Sequence, residues 1–134
     1  MEIKDLQIAV DFDGTLTKGN YYPVIGDIQQ DGINFLKQLQ EIGAKIYLDT
    51  MRSGEDLKNA IKVCKHYGLT FDSIGPNTNQ FNWTESTKVH ADFAIDDRNL
   101  GTPLKYDENG KPYVNWKKII KIFKERYTLE LKDL

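Results

Sequence analysis

The sequence predicts an α/β fold, in which a parallel sheet is flanked by helices on both faces. Short apolar stretches of strand length alternate along the chain with segments whose apolar residues recur at helical spacing, and this alternation is typical of parallel sheets. The 134 residues are enough for one hydrophobic core but not for two. We therefore expect a single domain over residues 1–134, with its chemistry at the carboxyl ends of the strands, where ligands bind in such sheets.

Four strands are predicted from short apolar runs that end at glycine or at polar residues. They cover residues 6–11, 44–49, 69–74 and 91–96. A hairpin is expected over residues 106–114, around the turn-forming dipeptide Asn109-Gly110. The segment 77–87 carries polar residues together with Phe81 and Trp83, and it is predicted to be a loop.

Three helices are predicted from apolar residues at i, i+3 and i+4 spacing. The first runs from about residue 28 to residue 41 and is followed by Gly43. The second begins at Ser53, with Asp56 placed as in a capping box, and Cys64 falls on its apolar face. Asn115 is expected to cap the third helix.

The composition argues against several classes of function. The net charge of −2 and the isoelectric point near 5.7 leave no broad basic field, which argues against avid nonspecific binding of nucleic acid. No apolar run approaches the ~20 residues that cross a bilayer, and the N-terminal segment lacks the apolar region of a signal peptide. Cys64 is the single cysteine, which suits a reducing compartment. We therefore expect a cytoplasmic protein with no membrane partner.

Two carboxylates stand at the end of the first predicted strand. Asp11 and Asp13 flank Phe12 in the stretch IAVDFDGTLT. Alternation along the strand directs both carboxylates to one side and the phenyl ring to the other. The two carboxylates repel each other unless a cation lies nearby. A hard divalent ion such as Mg2+ takes oxygen ligands of this kind, so the sequence predicts a magnesium site here.

Further polar residues lie at the ends of other predicted strands. Thr50 follows the second strand, and the acidic pair Asp96-Asp97 ends the fourth. Because the carboxyl ends of parallel strands share one edge of the sheet, we expect these residues to lie near Asp11 and Asp13. Adjacent residues of a strand point to opposite faces, so one member of the acidic pair should bind the cation directly.

The stretch IAVDFDGTLT resembles the first motif of the haloacid dehalogenase (HAD) superfamily of phosphohydrolases, an apolar strand followed by Asp-x-Asp-Gly-Thr. Thr50 matches the second motif, a Ser or Thr at a strand end whose hydroxyl binds phosphate. Lys88 is the candidate for the third motif, the lysine that neutralises the nucleophile and the phosphate. Asp96-Asp97 matches the fourth motif, an acidic pair after a strand. The four motifs follow the order of the superfamily over residues 6–99.

The resemblance implies a three-layer Rossmann-like sheet of the HAD type. HAD enzymes usually carry a cap domain after the first motif or before the lysine motif. Segments 13–44 and 74–88 are too short to hold a domain with its own core, so no cap domain is expected. Capless members act on substrates too large to be enclosed, or they form homo-oligomers in which a neighbouring subunit covers the site.

The resemblance also implies an activity, that of a magnesium-dependent phosphatase which hydrolyses a phosphate monoester through an aspartyl-phosphate on Asp11. Asp13 would protonate the leaving group and then activate water. Mg2+ would be held by Asp11, by the backbone carbonyl of Asp13 and by Asp97. Asp96 would lie outside these direct ligands, or it would bind the ion through water.

Three residues are expected to contact the phosphate of the substrate. Thr50 and Lys88 would do so by the resemblance, and Arg52 could form a charge-assisted contact with the phosphate or with a carboxylate of the substrate. A surface arginine at the start of a helix is the alternative for Arg52. The phosphorylated substrate could be a small molecule, a nucleotide or the end of a macromolecule.

Two other interpretations stay open. A catalytically idle HAD-fold protein would use the scaffold for binding alone, although the aspartates and the threonine of the motifs are all intact. A receiver-like phospho-acceptor domain also combines aspartates, a threonine and a lysine on a parallel sheet. Its acceptor would end the third strand, where this chain has Ser73, Ile74 and Gly75.

Overall fold

The computed structural model of the protein describes residues 3–75, 83, 85–86 and 88–127. Its elements are, in chain order, β1 (Gln7–Val10), α1 (Gln30–Ile42), β2 (Lys45–Leu48), α2 (Gly54–His66), β3 (Ser73–Ile74), β4 (Phe93–Ile95), β5 (Leu104–Tyr106), β6 (Pro112–Val114) and α3 (Trp116–Tyr127). Within these residues, β1 to β4 form a parallel sheet in the order β3-β2-β1-β4, and β5 pairs antiparallel with β6. The protein is thus an α/β protein whose four-stranded parallel sheet is flanked by three helices, consistent with a Rossmann-like fold. This confirms the predicted fold class at that level.

Strand β1 occupies the middle of the sheet because apolar partners surround it. Ile8 and Val10 are fully buried, and Ile8 pairs with Ile46 of β2 on one side and with Phe93 of β4 on the other. Parallel neighbours on both sides bring the carboxyl end of β1 between those of β2 and β4. The residues that follow these three strands therefore meet at one edge of the sheet.

Strands β3 and β4 begin later than predicted, and a side chain explains each difference. An Oδ2 atom of Asp72 accepts the backbone N–H of Ile46 at 2.7 Å, and that of Asp92 accepts the backbone N–H of Gln7 at 2.8 Å. In each case the aspartate carboxylate accepts a backbone N–H of the neighbouring strand, which would otherwise donate to a backbone carbonyl of β3 or β4. The ladders therefore start only at Ser73 and at Phe93.

Helix α1 begins two residues later than predicted. Ile28 forms an isolated antiparallel bridge with Thr17, which holds the chain extended at that position. The buried side chain of Gln29 then donates from Nε2 to the carbonyl oxygens of Thr15 and Val114, at 2.9 and 3.0 Å. These contacts tie the start of α1 to the loop after β1.

The predicted helix starts at Ser53 and at Asn115 are correct in position. Asn115 caps α3, since its Oδ1 accepts the backbone N–H of Lys118 at 3.3 Å. Ser53 precedes α2, but its hydroxyl makes no capping hydrogen bond, so the predicted capping box is wrong. The carboxylate of Asp56 instead accepts a hydrogen bond from the hydroxyl of Tyr22 at 2.7 Å.

Other predictions on the elements can be compared with the structure. The hairpin forms as predicted and starts two residues earlier, at Leu104. Cys64 is fully buried on α2, and burial raises the pKa of its thiol to about 12, which confirms it as a core residue. Of the predicted loop 77–87, all but Trp83, Glu85 and Ser86 lies outside the described residues.

Residues 11–29, between β1 and α1, contain no helix or strand beyond the isolated bridge. None of the helices in the described part of the chain has the length and apolarity needed to cross a membrane.

An aromatic cluster joins α1, β4 and α3. The ring of Phe35 lies 6.5 Å from that of Trp116 and 5.3 Å from that of Phe123, and Phe123 also contacts Phe93 at 5.7 Å. Gly32 of α1 allows this close approach, because a Cβ atom there would lie 2.4–2.6 Å from atoms of the Trp116 indole. A side chain at residue 32 would therefore push the two helices apart.

We predict that Gly32→Ala destabilises the protein by about 1–3 kcal/mol, the usual effect of overpacking a dense core. In an exposed helix the same change would stabilise by up to about 1 kcal/mol, so the sign of the effect reports the indole contact. The measurement is urea denaturation followed by circular dichroism, with Asn59→Ala on the exposed side of α2 as control. A stabilised Gly32→Ala variant would contradict the packing of α1 on Trp116.

Candidate functional site

A cavity of about 360 Å3 lies at the carboxyl edge of the sheet. Among the described residues, its lining consists of Asp11, Asp13, Asn20, Asp49, Thr50, Met51, Asp96, Asp97 and Arg98. The backbone hydrogen bonds of the sheet continue into this lining. The N–H of Asp11 donates to the carbonyl oxygen of Ile95 at 3.0 Å, and the N–H of Asp49 donates to the carbonyl oxygen of Val10 at 2.9 Å. The ends of three neighbouring strands thus bring five carboxylates to one cavity.

Three of these carboxylates form a tight cluster. Asp11, Asp96 and Asp97 each present one oxygen atom, and these atoms all lie within 4.8 Å of one another. Burial, the charge of Asp96 and a hydrogen bond with Asp97 together raise the pKa of Asp11 to about 8. Burial likewise raises the pKa of Asp97. Carboxylates this close repel one another, and a cation between them would relieve that repulsion. Oxygen ligands suit a hard divalent ion such as Mg2+, so the cluster could bind a metal ion.

Both members of the acidic pair belong to this cluster. From the sequence we expected Asp97 as the direct ligand and Asp96 behind it, whereas the structure brings both carboxylates to Asp11. A backbone hydrogen bond also holds the Asp96 side chain in place, since its Oδ1 accepts the N–H of Arg98 at 2.9 Å. Asp13 lines the same cavity but is not part of this cluster, and its carboxylate pairs with Arg52.

The turn after Asp13 holds the cluster together. The hydroxyl oxygen of Thr15 accepts the backbone N–H of Asp97 at 3.1 Å and lies 3.3 Å from Oδ2 of Asp11. Gly14 has φ +78°, and a Cβ atom there would lie 2.7 Å from Oδ2 of Asp97. The carbonyl oxygen of Thr15 in turn accepts the indole N–H of Trp116 at 2.7 Å. The position of the carboxylates is therefore set by the core beneath them.

Asp13 and Arg52 form a buried, bidentate ion pair. Nε and Nη2 of Arg52 donate to the two carboxylate oxygens of Asp13, each at 2.7 Å, and Arg52 is only 4% exposed. The remaining N–H groups of the guanidinium donate to the backbone carbonyls of Pro23, Val24 and Asp56 at 3.3–3.4 Å. Hydrogen bonds to Asp13 raise the pKa of the guanidinium further above its ordinary value, so it stays charged.

This geometry corrects both predictions for Arg52. Arg52 is not a surface arginine, and it is not among the described residues that line the cavity. Its charge is matched by Asp13 of the same chain, in the place of the phosphate or substrate carboxylate expected from the sequence. The physical reason is burial, because a guanidinium removed from water needs a counter-charge within contact distance.

The two other predicted phosphate contacts differ in position. Thr50 lines the cavity, and its hydroxyl oxygen accepts the backbone N–H of Arg52 at 3.1 Å, which leaves the hydroxyl proton for a ligand. Lys88 is exposed in the segment before β4 and is not among the described residues of the lining. The structure thus places Thr50 in the lining beside the aspartates, whereas Lys88 lies outside the described lining.

Sequence reasoning missed four residues of the lining, namely Asn20, Asp49, Met51 and Arg98. Asp49 follows β2 directly, and burial together with the charge of Asp96 raises its pKa. Arg98 follows the acidic pair and is the single cation among the described lining residues. Both stand at strand ends, so the rule that ligands bind at that edge could have found them. Nothing in the sequence pattern marks Asn20 or Met51.

Comparison with known proteins gives one informative match. No protein-family model and no curated protein matches the chain. A solved structure, described as that of a conserved protein from Bacteroides thetaiotaomicron, is 35% identical and superimposes with a TM-score of 0.72. The match covers 92% of this chain and 93% of that chain, and the description names no activity. The chain therefore belongs to the same family as this conserved Bacteroides protein.

Proposed function

We propose that the protein is a magnesium-dependent phosphatase of the HAD type, without a cap domain, which hydrolyses a phosphate monoester. The observation that carries this proposal is the convergence of Asp11, Asp96 and Asp97 in one cavity with Asp13 and Thr50. A cation site beside a carboxylate nucleophile and a hydroxyl donor is the equipment that phosphoryl transfer needs. The absence of helices and strands from residues 11–29 agrees with a capless enzyme.

The cluster fits Mg2+ by its donor set, since Asp11, Asp96 and Asp97 offer only carboxylate oxygens. When bound there, Mg2+ would offset the negative charge of the phosphate and of the nucleophile. The backbone carbonyl of Asp13 is the further ligand that the resemblance implies. Burial, the charge of Asp96 and a hydrogen bond with Asp97 raise the pKa of Asp11, so a cation at the cluster would favour the ionised carboxylate that a nucleophile needs.

The chemistry would proceed in two displacements on Asp11. A carboxylate oxygen of Asp11 attacks phosphorus, and the bond to the leaving oxygen breaks as that oxygen is protonated. The resemblance assigns this proton to Asp13, whose carboxylate would have to release one of its two hydrogen bonds from Arg52 in order to carry it. Water then attacks the aspartyl-phosphate, gives its proton to Asp13 and releases inorganic phosphate. Arg52 orients Asp13 through the bidentate pair, and the hydroxyl of Thr50 donates to a phosphoryl oxygen.

Phosphate release from a panel of aryl, sugar, nucleotide and nucleic-acid phosphates, with and without Mg2+, tests the proposal. We expect magnesium-dependent release that falls on the order of 10³-fold or more in Asp11→Asn, because the nucleophile is lost. Asp31→Asn, at an exposed position of α1, is the matched control and should retain full activity. Circular dichroism establishes that both variants are folded. No release by the folded wild type would favour the catalytically idle binding protein.

Lys88 is tested separately, because the resemblance gives it a role that its exposed position does not yet explain. We predict that Lys88→Ala lowers kcat about tenfold or more at saturating Mg2+, through loss of a positive charge near the phosphoryl group. Lys105→Ala, on the exposed part of β5, should leave kcat unchanged. If Arg98→Ala lowers kcat and Lys88→Ala does not, the cation of the site is Arg98.

A further inference from the structure

Asn20 brings an uncharged hydrogen-bond donor to the cavity that Asp11 and Asp13 share. Its Oδ1 accepts the backbone N–H of Tyr22 at 3.0 Å. Because this bond occupies the oxygen, the nitrogen is the free end of the amide, and Nδ2 makes no hydrogen bond to any residue in the described part of the chain. Thr50 is the other uncharged side-chain donor of the described lining.

Tyr21 holds this part of the loop against the tip of the β5–β6 hairpin. Its hydroxyl donates to Oδ2 of Asp107 and accepts from Nδ2 of Asn109 at 3.0 Å. The Nζ atom of Lys111 lies 4.9 Å from the centre of the Tyr21 ring. Gly19 permits these contacts, since a Cβ atom there would lie 2.9 Å from a ring carbon of Tyr21 and 3.0 Å from Oδ2 of Asp107. Three residues of the hairpin turn therefore hold the neighbour of the cavity-lining asparagine.

The base of the same hairpin is joined to the turn that holds the carboxylate cluster. The backbone N–H of Val114 donates to the carbonyl oxygen of Gly14 at 2.9 Å, and Gly14 lies against the carboxylate of Asp97. Within the described residues, β5 and β6 pair only with each other and not with the parallel sheet. The hairpin thus bridges the turn after Asp13 and the loop that carries Asn20.

Tyr22 holds the loop on the other side of Asn20. Its ring centre lies 5.0 Å from the guanidinium carbon of Arg52, and its hydroxyl donates to Asp56 at 2.7 Å. Two successive tyrosines therefore follow Asn20, one in contact with the hairpin and one in contact with α2. A donor that is held in place before a ligand arrives binds it with a smaller entropic cost and stabilises developing charge effectively.

A phosphoryl group in this cavity needs hydrogen-bond donors, because most of the described lining consists of carboxylates. The cavity of about 360 Å3 is at the small end of the roughly 300–1,000 Å3 typical of ligand sites, so a phosphate at the aspartates would contact much of the lining. Thr50 supplies one donor in the proposed function. The side chain of Arg98 is exposed and makes no hydrogen bond or ion pair within the described residues, whereas the loop of Asn20 is held on both sides.

We propose that Asn20 binds the substrate, with Nδ2 donating to a phosphoryl oxygen, and that the β5–β6 hairpin is a positioning element that holds Asn20 in place through Tyr21. This inference rests on the proposed function for the position of the phosphate. The hairpin acts on the site from outside it, since none of its described residues lines the cavity.

Binding of methylphosphonate, which is not hydrolysed, tests the contact of Asn20 without turnover. With saturating Mg2+, isothermal titration calorimetry should show about tenfold weaker binding in Asn20→Ala, the usual effect of losing a hydrogen bond to a charged group. Asn20→Ser should bind equally weakly, because serine can still accept the N–H of Tyr22 but carries no amide. Asn59→Ala, on the exposed side of α2, is the matched control and should keep the wild-type affinity.

A double-mutant cycle tests the hairpin. Tyr21→Phe removes the hydroxyl that contacts Asp107 and Asn109, and it should weaken methylphosphonate binding about threefold. In the Asn20→Ala background the same change should have no effect, because the donor that Tyr21 positions is gone. Tyr106→Phe, at an exposed tyrosine of the same hairpin, should leave the affinity unchanged. Equal effects of Tyr21→Phe in the two backgrounds would overturn the positioning role.

Phosphate release distinguishes a contact with the phosphoryl group from a contact with the leaving group. Asn20→Ala should lower kcat/KM about tenfold for benzyl phosphate and for glycerol 3-phosphate alike, since the two esters share the phosphoryl group. A changed ratio between the two esters would overturn the assignment to a phosphoryl oxygen.

The two proposals fail in different ways. Wild-type affinity and activity of Asn20→Ala would overturn the inference and leave the phosphatase in place. Weaker binding of methylphosphonate by Asn20→Ala, without any phosphate release by the wild type, would support the inference and count against the phosphatase. Failure of the wild type to bind methylphosphonate would overturn both proposals.

Discussion

Replacing Arg52 with methionine should lower the free energy of unfolding by about 3–5 kcal/mol, the usual effect of removing one partner of a buried ion pair. The carboxylate of Asp13 would remain buried and charged beside the other carboxylates of the cavity. The carbonyls of Pro23, Val24 and Asp56 would lose their donors at the same time. Urea denaturation at pH 7 measures the change.

The chain offers a matched control for this variant. Lys58 pairs with Glu55 on the surface of α2 at 3.3 Å, and both side chains are at least 74% exposed. Lys58→Met removes the same kind of charge but should change stability by less than about 1 kcal/mol, because exposed pairs contribute little. The double variant Asp13→Asn with Arg52→Met should recover part of the loss, since it leaves no unmatched charge. Equal effects of Arg52→Met and Lys58→Met would show that the buried pair does not hold the fold together.

Binding of Mg2+ should weaken about tenfold for each pH unit below about 8 and level off above it. The cause is Asp11, whose pKa is raised to about 8, so that below this pH the ion must displace a proton. Calorimetric titrations with MgCl2 at pH 6, 7, 8 and 9 measure the affinity, and buffers of different ionisation enthalpy count the protons released. We expect about one proton released per ion at pH 7.

Asp11→Asn is the control for this pH dependence, since it keeps the shape of the side chain and cannot release a proton. Its affinity should be lower than that of the wild type and nearly constant from pH 6 to pH 8. A wild-type affinity that is also constant over this range would show that Asp11 does not carry a proton in the metal-free protein.

The raised pKa of Asp11 also determines whether the metal-free protein becomes more or less stable as the pH rises. The pKa of Asp11 rises from an ordinary value of 3.8 to about 8 on folding, so the folded state binds this proton more tightly than the unfolded state. The contribution of Asp11 to stability is therefore complete below pH 4 and is lost as the pH rises to about 8. We expect the denaturation midpoint to fall from pH 5 to pH 8, and added Mg2+ to restore it at pH 8 by mass action.

Much of the fold could be predicted from local patterns. The alternation of apolar strands and amphipathic helices predicted the parallel sheet, and the three helices lie within two residues of the predicted starts. Asn115 caps α3 because capping depends on neighbours three residues away. The late starts of β3 and β4 could not be predicted in this way. They depend on the carboxylates of Asp72 and Asp92, which bond to Ile46 and Gln7 in distant parts of the chain.

The sequence by itself indicated that the aspartates after the first and fourth strands lie at one edge of the sheet. Asp11, Asp96 and Asp97 follow strands, and the carboxyl ends of parallel strands share one edge whatever the details of packing. Only the tertiary structure decided that Arg52 pairs with Asp13, because a buried guanidinium takes whichever carboxylate the folded chain places within contact distance. It also decided that Asp49 and Arg98 line the cavity and that Lys88 does not. Strand ends are a consequence of local pattern, whereas charge pairing depends on burial, which exists only once the chain is folded.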